Sequence, residues 1–309
     1  SGERTAKPFL KWAGGKRQLL AQFAAFYPPE LASGEITRYV EPFVGGGAVF
    51  LDVVQRFPIR EIFLFDINRE LILAYLVVQQ RPNELIDLLQ THQQDYLKLD
   101  EAERRAYFYA IRDAYNGQQE RIDYERFSDA WIERTAYMLF LNKTCYNGLF
   151  RVNSRGRFNV PHGRYRRPSI LDDANILHVS ELLQRATLGV GRFDACRTYV
   201  DDQSFVYFDP PYRPISTTAN FTAYSANGFG ECDQIALAEF YSDLDAGTYA
   251  KLMLSNSDPT DLDPGDDFFT THYNGFHFGQ VHASRMINAH AGKRGKIREL
   301  VITNYRVST

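Results

Sequence analysis

Tyr39-Val-Glu-Pro-Phe-Val-Gly-Gly-Gly-Ala-Val-Phe50 decides the fold. An apolar run with a β-branched and aromatic character ends in three glycines, and an apolar helix start follows at once. Glycine there lets the backbone approach a ligand closely at the carboxyl end of a first parallel strand, where open α/β sheets bind their ligands. A tight turn and a phosphate cradle remain open as other readings, although neither GKS/T nor GxGxxG follows. The next strand candidate ends in Phe65-Asp66-Ile67-Asn68, about 20 residues beyond the glycines, and an acid at that point suits hydrogen bonding to ribose hydroxyls. The duller role for Asp66 is to cap the helix that starts near Asn68.

Hydrophobic periodicity extends this α/β pattern to both ends of the chain, with a mostly helical stretch between them. Strands are expected at Tyr39 to Phe43, Ile62 to Phe65, Phe205 to Phe208, Tyr249 to Leu254 and Ile297 to Thr303. The third and fourth are near-continuous apolar or aromatic runs, as in strands buried on both faces. Helices at about 67–78 and 231–246 are the expected crossovers, and 82–97, 101–115 and 127–141 read as amphipathic helices of a second lobe. After them Gly148, Gly156, Pro161, Gly163 and Pro168 break the chain into turns around short FNV-type strands, which reads as a hairpin or loop platform.

A second constellation, Val206-Tyr-Phe-Asp-Pro-Pro-Tyr212, is again a strand ending abruptly in an acid. Two prolines lock their own φ angles and remove two backbone donors, which leaves carbonyls and the Asp209 carboxylate as acceptors. An amine substrate needs such acceptors, and Tyr212 adds a face on which a planar base could stack. A stiff surface turn is the alternative. Near the N-terminus, Phe9-Leu-Lys-Trp-Ala-Gly-Gly-Lys16 places a ring and a cation beside two glycines, a pattern shared with a helix start packed by a core tryptophan.

The chain has 309 residues and is 44% hydrophobic, enough to bury the core of one large domain or two modest ones. No stretch approaches the roughly 18 to 20 apolar residues of a bilayer span, and SGERTAKPF lacks the apolar run of a signal peptide, so an intracellular protein without membrane contact is expected. Cys145, Cys196 and Cys232 lie far apart without CxxC spacing, which suggests neither a zinc knuckle nor a disulfide framework, and no metal is expected. Net charge is −3, which treated as uniform argues mildly against nucleic acid. Its distribution argues the other way. From Asn142 to Leu171 there is no Asp or Glu, while Lys143, Arg151, Arg155, Arg157, Arg164, Arg166 and Arg167 make a candidate polyanion-binding surface. Lys293, Arg294, Lys296 and Arg298 form a second basic cluster.

FLKWAGGK (9–16), EPFVGGG (41–47), FDIN (65–68), YNGL with the following Arg151, Asn153, RG, FNVP and GRY (146–165), DPPY (209–212) and NFTAY (220–224) occur in one order. That order closely resembles the Dam family of DNA adenine-N6 methyltransferases, the GATC type of the α group of amino-methyltransferases, over nearly the whole chain. The resemblance implies a Rossmann-like, S-adenosylmethionine-dependent core from 1–75 plus 185–309, with a mostly helical target-recognition insert from 76–184 that carries the basic loop. It implies that Trp12, Ala13, Lys16, Phe43, Gly45, Gly47, Asp66, Phe193 and Asp209 surround S-adenosylmethionine, and that Asp209, Pro210, Pro211 and Tyr212 form the catalytic turn. On the DNA side it implies Lys11 at the first guanine, Tyr146 as a wedge in the base stack, and base or phosphate contacts by Asn147, Leu149, Arg151, Asn153, Asn159, Pro161 and Arg164. The implied partner is double-stranded DNA. A monomer in the cytoplasm is expected, with any cognate restriction endonuclease sharing only the DNA site. The sequence departs from a close copy at Lys143 to Cys145, at His162 and over 275–290.

Methylation of another planar amine (cytosine N4, RNA or a protein glutamine) is the competing chemistry. Aspartate at position 209 and the basic segment favour adenine in DNA. A catalytically inactive DNA-binding regulator of the same fold is the competing class, and intact Trp12, Asp66 and Asp209 argue against it.

Overall fold

Ser204–Phe208 (β4) is the strand most plainly dictated by sequence: all five residues of SFVYF are buried, as a run of β-branched and aromatic residues requires when both sheet faces are covered. The computed structural model describes residues 5–213, 228–284 and 296–308. The remaining strands are β1 (Arg38–Glu41), β2 (Glu61–Asp66), β3 (Ala186–Val190), β5 (Lys251–Ser257), β6 (His277–Ser284) and β7 (Lys296–Thr303). The helices that matter below are α1 (Ala48–Arg56), α2 (Arg69–Gln80), α3 (Pro82–Leu97), α4 (Glu101–Gln118), α5 (Asp129–Thr144), α6 (Asp173–Leu183) and α7 (Glu231–Gly247).

The chain falls into two compact units, Lys16–Val44 with Asp52–Ile67 and Gly191–Thr309, and Ser1–Gly15 with Gly45–Leu51 and Asn68–Val190. In the first unit the strands run β2-β1-β4-β5-β7-β6. β2, β1, β4 and β5 are mutually parallel, and β7 pairs antiparallel with both β5 and β6. Successive residues of the parallel strands face opposite sides. Val40, Val206 and Phe208 pack with Leu237, Phe240 and Tyr241 of α7. Phe205 meets both Tyr27 and Tyr39 on the opposite face, where Phe23 meets Tyr207.

The second unit is helical. Asn68 caps α2 by accepting from the N–H groups of Glu70 and Leu71, so the capping role considered for Asp66 belongs to Asn68. α4 opens with a reciprocal capping box between Asp100 and Glu103. α5 is buried over most of its surface from Trp131 to Thr144, with Glu133 exposed, and packs against α2, α3 and α4.

Four expected strands agree with the structure to within a few residues, and the fifth begins at Lys251 because Tyr249 is exposed outside the sheet. β3 and β6 carried no expectation. The compact units also divide differently from the expected functional partition, because α2 packs on α5 and α6, with the helices it precedes. In the basic segment the expected short strands reduce to single bridges, Cys145 with His162 and Val152 with Phe158. The NFTAY motif at 220–224, with Lys293 and Arg294, lies outside the described residues.

Candidate active site and nucleic-acid interface

β4 ends at Phe208, and the next four residues, Asp209-Pro210-Pro211-Tyr212, form an extended turn braced from three directions. Gln234 of α7, itself buried, donates from Nε2 to the Pro211 carbonyl at 2.9 Å. The N–H of Arg213 donates to Oδ1 of buried Asn256 at the end of β5, at 3.3 Å. The third brace is ionic. Lys16 Nζ lies 3.3 Å from the Asp209 carboxylate and 3.1 Å from that of Glu299 on β7, and it donates to the Tyr212 hydroxyl at 2.9 Å. That hydroxyl in turn donates to Glu299.

Charge is concentrated here around a Lys16 ammonium and a Glu299 carboxylate that solvent barely reaches. Burial works against the Lys16 ammonium, but Asp209 and Glu299 outweigh it and hold its pKa above the usual lysine range. Burial raises the Asp209 carboxyl, Lys16 pulls it back, Glu299 raises it again, and the pKa settles at about 6. Burial and Glu299, opposed by Lys16, push the Tyr212 hydroxyl up to about 12. Tyr212 nevertheless stays 47% exposed, although Lys16 Nζ lies over its ring at 4.6 Å from the centroid and its hydroxyl is tethered. The turn thus offers a carboxylate that is ionised above about pH 6 beside a partly exposed aromatic ring.

In the same unit, Asp66 closes β2; its carbonyl accepts from the Gly191 N–H at 3.0 Å and its charge reaches Asp209. Phe43 is half-buried and stacks on Phe193 at 5.9 Å with the rings 28° apart, whereas Phe193 is only 3% exposed and sits within the core.

In the other unit the glycine turn is fixed by sterics. Gly45 and Gly47 have φ of 51° and 81°, and a Cβ on Gly47 would lie 2.5 Å from the Tyr75 hydroxyl, which itself donates to the Gly45 carbonyl at 3.0 Å. Trp12 packs against Gly45 and Gly46 and stacks on Phe150, with centroids 5.1 Å apart. Ala13 is exposed beside it.

The basic segment folds over α4 and α5 as loops held by side chains. Tyr146, 58% exposed, leads a one-turn 3-10 element closed by its own N–H to the Pro161 carbonyl at 2.8 Å. Asn147 is left-handed at φ 59°, and Lys11 Nζ donates to its carbonyl at 2.8 Å. Leu149, Arg151, Asn159, Pro161 and Arg164 are exposed, with Arg151 Nε bound to Asn159 Oδ1 at 3.0 Å. Asn153 spends its Oδ1 on the N–H groups of Arg155 and Arg157, organising the Asn153–Arg157 turn. The acid-free window is therefore less cationic in space than in sequence. Arg157 pairs with Glu120, in the turn just after α4, at 2.9 Å, and desolvation and nearby Lys7 lower the pKa of Lys143. Arg155, Arg164, Arg166 and Arg167 are exposed and form no ion pair among the described residues. In the C-terminal cluster, Arg298 pairs with Asp261.

Sequence reasoning did not single out Asn142, Phe150, Gln234, Asn256 or Glu299. Each is a polar residue in an apolar element or an aromatic in a loop, and only the fold reveals what it touches.

Residues 12–287 match the family model described as D12 class N6 adenine-specific DNA methyltransferase. The chain belongs to that family. This methyltransferase is also 46% identical to the type II methyltransferase M.MjaIII of Methanocaldococcus jannaschii, across 97% of the chain and 99% of that protein. It is 35% identical to the type II methyltransferase M1.LlaDCHI of Lactococcus lactis subsp. cremoris, across 97% and 95%. It is 34% identical to the DNA adenine methylase of Escherichia coli strain K12, across 96% and 94%. Methyl transfer to adenine N6 in DNA is thus the activity of the family. Among the described residues no group of His, Cys, Asp or Glu is arranged to hold a metal, and no helix is long and apolar enough to cross a membrane.

Proposed function

We propose that this methyltransferase moves the methyl group of S-adenosylmethionine to N6 of an adenine rotated out of duplex DNA, within GATC. The observation that carries this reading is the end of β4, where Lys16, Glu299, Gln234 and Asn256 fix an acid-Pro-Pro turn around an Asp209 carboxylate of raised pKa. The donor set suits S-adenosylmethionine. Asp66 is a strand-end carboxylate for the ribose hydroxyls, and Phe43, with Phe193 stacked behind it, offers a ring to the adenine. Trp12, Ala13, Lys16, Gly45 and Gly47 are the remaining donor contacts, and glycine is required by the backbone at Gly45 and Gly47.

S-adenosylmethionine, when bound, supplies an electrophilic methyl on a sulfonium centre. The chain's own residues orient the amine. Asp209 and the Pro210 carbonyl accept the two N6 hydrogens, since the Pro211 carbonyl is already bound to Gln234. Tyr212 stacks on the extruded base, and its tethered hydroxyl fixes the plane of the ring. Catalysis then comes from alignment and from the negative potential of Asp209 beside an amine that gains positive charge, with no covalent enzyme intermediate. Unstacking and unpairing the adenine costs a few kcal/mol, and Tyr146, which is exposed, enters the stack. Lys11, Asn147, Leu149, Arg151 and Arg164 read or hold the site, with Asn153, Asn159 and Pro161 shaping the loop around them. The protein acts as a cytoplasmic monomer, and a cognate restriction endonuclease would meet it only through the shared site.

Tritiated-methyl transfer to duplex DNA, followed by digestion with methylation-sensitive and methylation-dependent GATC nucleases, tests base and site together. Label on N6 within GATC is expected, and Asp209→Ala is expected to lose transfer by at least about a hundredfold while still binding donor and DNA. Label on cytosine N4, or near-normal turnover by Asp209→Ala, would overturn the reading.

A further inference from the structure

Lys11 and the Tyr146–Gly148 turn are far apart in sequence, yet one buried side chain joins their backbones. Asn142, in the last turn of α5, is 3% exposed. Its Oδ1 accepts from the Lys11 N–H at 2.8 Å, and its Nδ2 donates to the Lys11 carbonyl and to the Gly148 carbonyl, both at 2.9 Å. Both amide hydrogens are thereby used, so the carboxamide has a single orientation, with one oxygen and two donors that no other side chain of its size supplies. The junction is closed a second time on its outer side, where Lys11 Nζ donates to the Asn147 carbonyl at 2.8 Å. Gly148 adopts φ 63°, a backbone conformation that strains any L side chain, and a Cβ there would touch the Asn142 carbonyl and Lys11 Cδ at 3.4 Å each. Asn147, the left-handed residue between the two, is pinned by its N–H to the Tyr165 hydroxyl at 3.0 Å.

We propose that Asn142 is a positioning residue that sets Lys11 and the Tyr146–Gly148 turn as one reading unit, so that discrimination at the bases they contact is coupled. The inference rests on the reading of Lys11 and Tyr146 to Leu149 as DNA contacts given above. A side chain meets base edges within hydrogen-bonding range only if its backbone is fixed to a fraction of an ångström, and loops obtain that fixity from buried polar partners rather than from regular secondary structure. Here two loops share one such partner, so displacing it moves both.

Asn142→Asp keeps the shape and the acceptor for the Lys11 N–H but removes both donors and sets an oxygen against the carbonyls of Lys11 and Gly148. For the full-length variant, kcat/KM is measured on a GATC duplex and on duplexes with one base pair changed at each position, and the affinity for S-adenosylmethionine alone is measured in parallel. Discrimination is expected to fall at least about tenfold, and at those positions where Lys11→Ala and Leu149→Ala also lose it. Donor affinity is expected to stay within about twofold of the parent, and Asn142→Asp combined with Lys11→Ala to be little worse than the more severe single variant. Unchanged discrimination in folded Asn142→Asp, or an even loss at every position accompanied by loss of donor affinity, overturns the proposal. Should Asn142→Asp not fold, Gly148→Ala strains the same junction from the exposed side, and unchanged discrimination there overturns the proposal equally. A parent protein with no preference for GATC fails the functional reading, whereas a selective parent with an indifferent Asn142→Asp fails this inference alone.

Discussion

Asp209 serves two opposed ends. In its proposed role as acceptor for amine hydrogens it must be ionised, yet burial, opposed by Lys16 and reinforced by Glu299 and Asp66, lifts its pKa to about 6 from the ordinary carboxylate value of 3.8. The folded protein therefore holds the proton more tightly than the unfolded chain does, so protonated Asp209 favours the fold. That contribution is full below about pH 4 and is lost as pH rises through about 6. Asp209→Asn is expected to raise Tm by roughly 3 °C or more at pH 8, with the gain vanishing toward pH 4, while methyl transfer is abolished. Calorimetry of both proteins across that range checks it, and an equal shift at all pH values would show that ionisation of Asp209 carries no strain. For the parent, methyl transfer is expected to fall as pH drops below about 6. The sequence places an acid before two prolines but does not contain this pKa, because Lys16 and Glu299 reach Asp209 only through the fold.

At the scale of elements, α5 shows how a helix can look amphipathic in sequence and be buried over most of its length, with Asp129, Ala130 and Glu133 left exposed. Arg134, 1% exposed, projects from it into the helical unit, where it grips Glu70 of α2 through two bonds of 2.8 and 2.9 Å and lies over the Tyr115 ring of α4 at 3.9 Å. Tyr124 donates to the same carboxylate. Removing one partner of such a pair leaves the other charge buried without compensation, so Arg134→Met is expected to cost about 3–5 kcal/mol in urea unfolding. Glu70→Gln in the same chain is expected to return a large part of the loss; additive losses would mean that packing, not charge, dominates. Periodicity located α5 to within a few residues because its apolar side chains recur as a helix demands. The same pattern could not show that its few polar residues, Arg134 and Asn142, point inward to partners on other segments, since such partners lie 64 and 131 residues away.

Over the whole molecule, charge distribution outweighs net charge. A net −3 coexists with a loop segment whose exposed arginines 155, 164, 166 and 167 face no acid among the described residues, and counterion release makes such cations the source of salt-dependent DNA affinity. Arg166→Ala with Arg167→Ala is expected to flatten the plot of log Kd against log salt by about 0.9 for each phosphate contact removed. Arg157→Ala, whose guanidinium is already held by Glu120, is expected to change the slope little, and the reverse ranking would reassign the phosphate-facing side of the loop. The sequence by itself determined the parallel core, its glycine-rich strand end and the conformation of the acid-Pro-Pro turn, because continuous apolar runs, glycine conformations and proline geometry are local properties. It also marked the basic loop by composition. Only the tertiary structure decided which arginines stay unpaired, that Asn68 rather than Asp66 caps its helix, that Lys16 and Glu299 set the state of Asp209, and that Asn142 joins Lys11 to the loop turn. Those outcomes depend on distance and burial, and both fall sharply with separations that sequence position does not record.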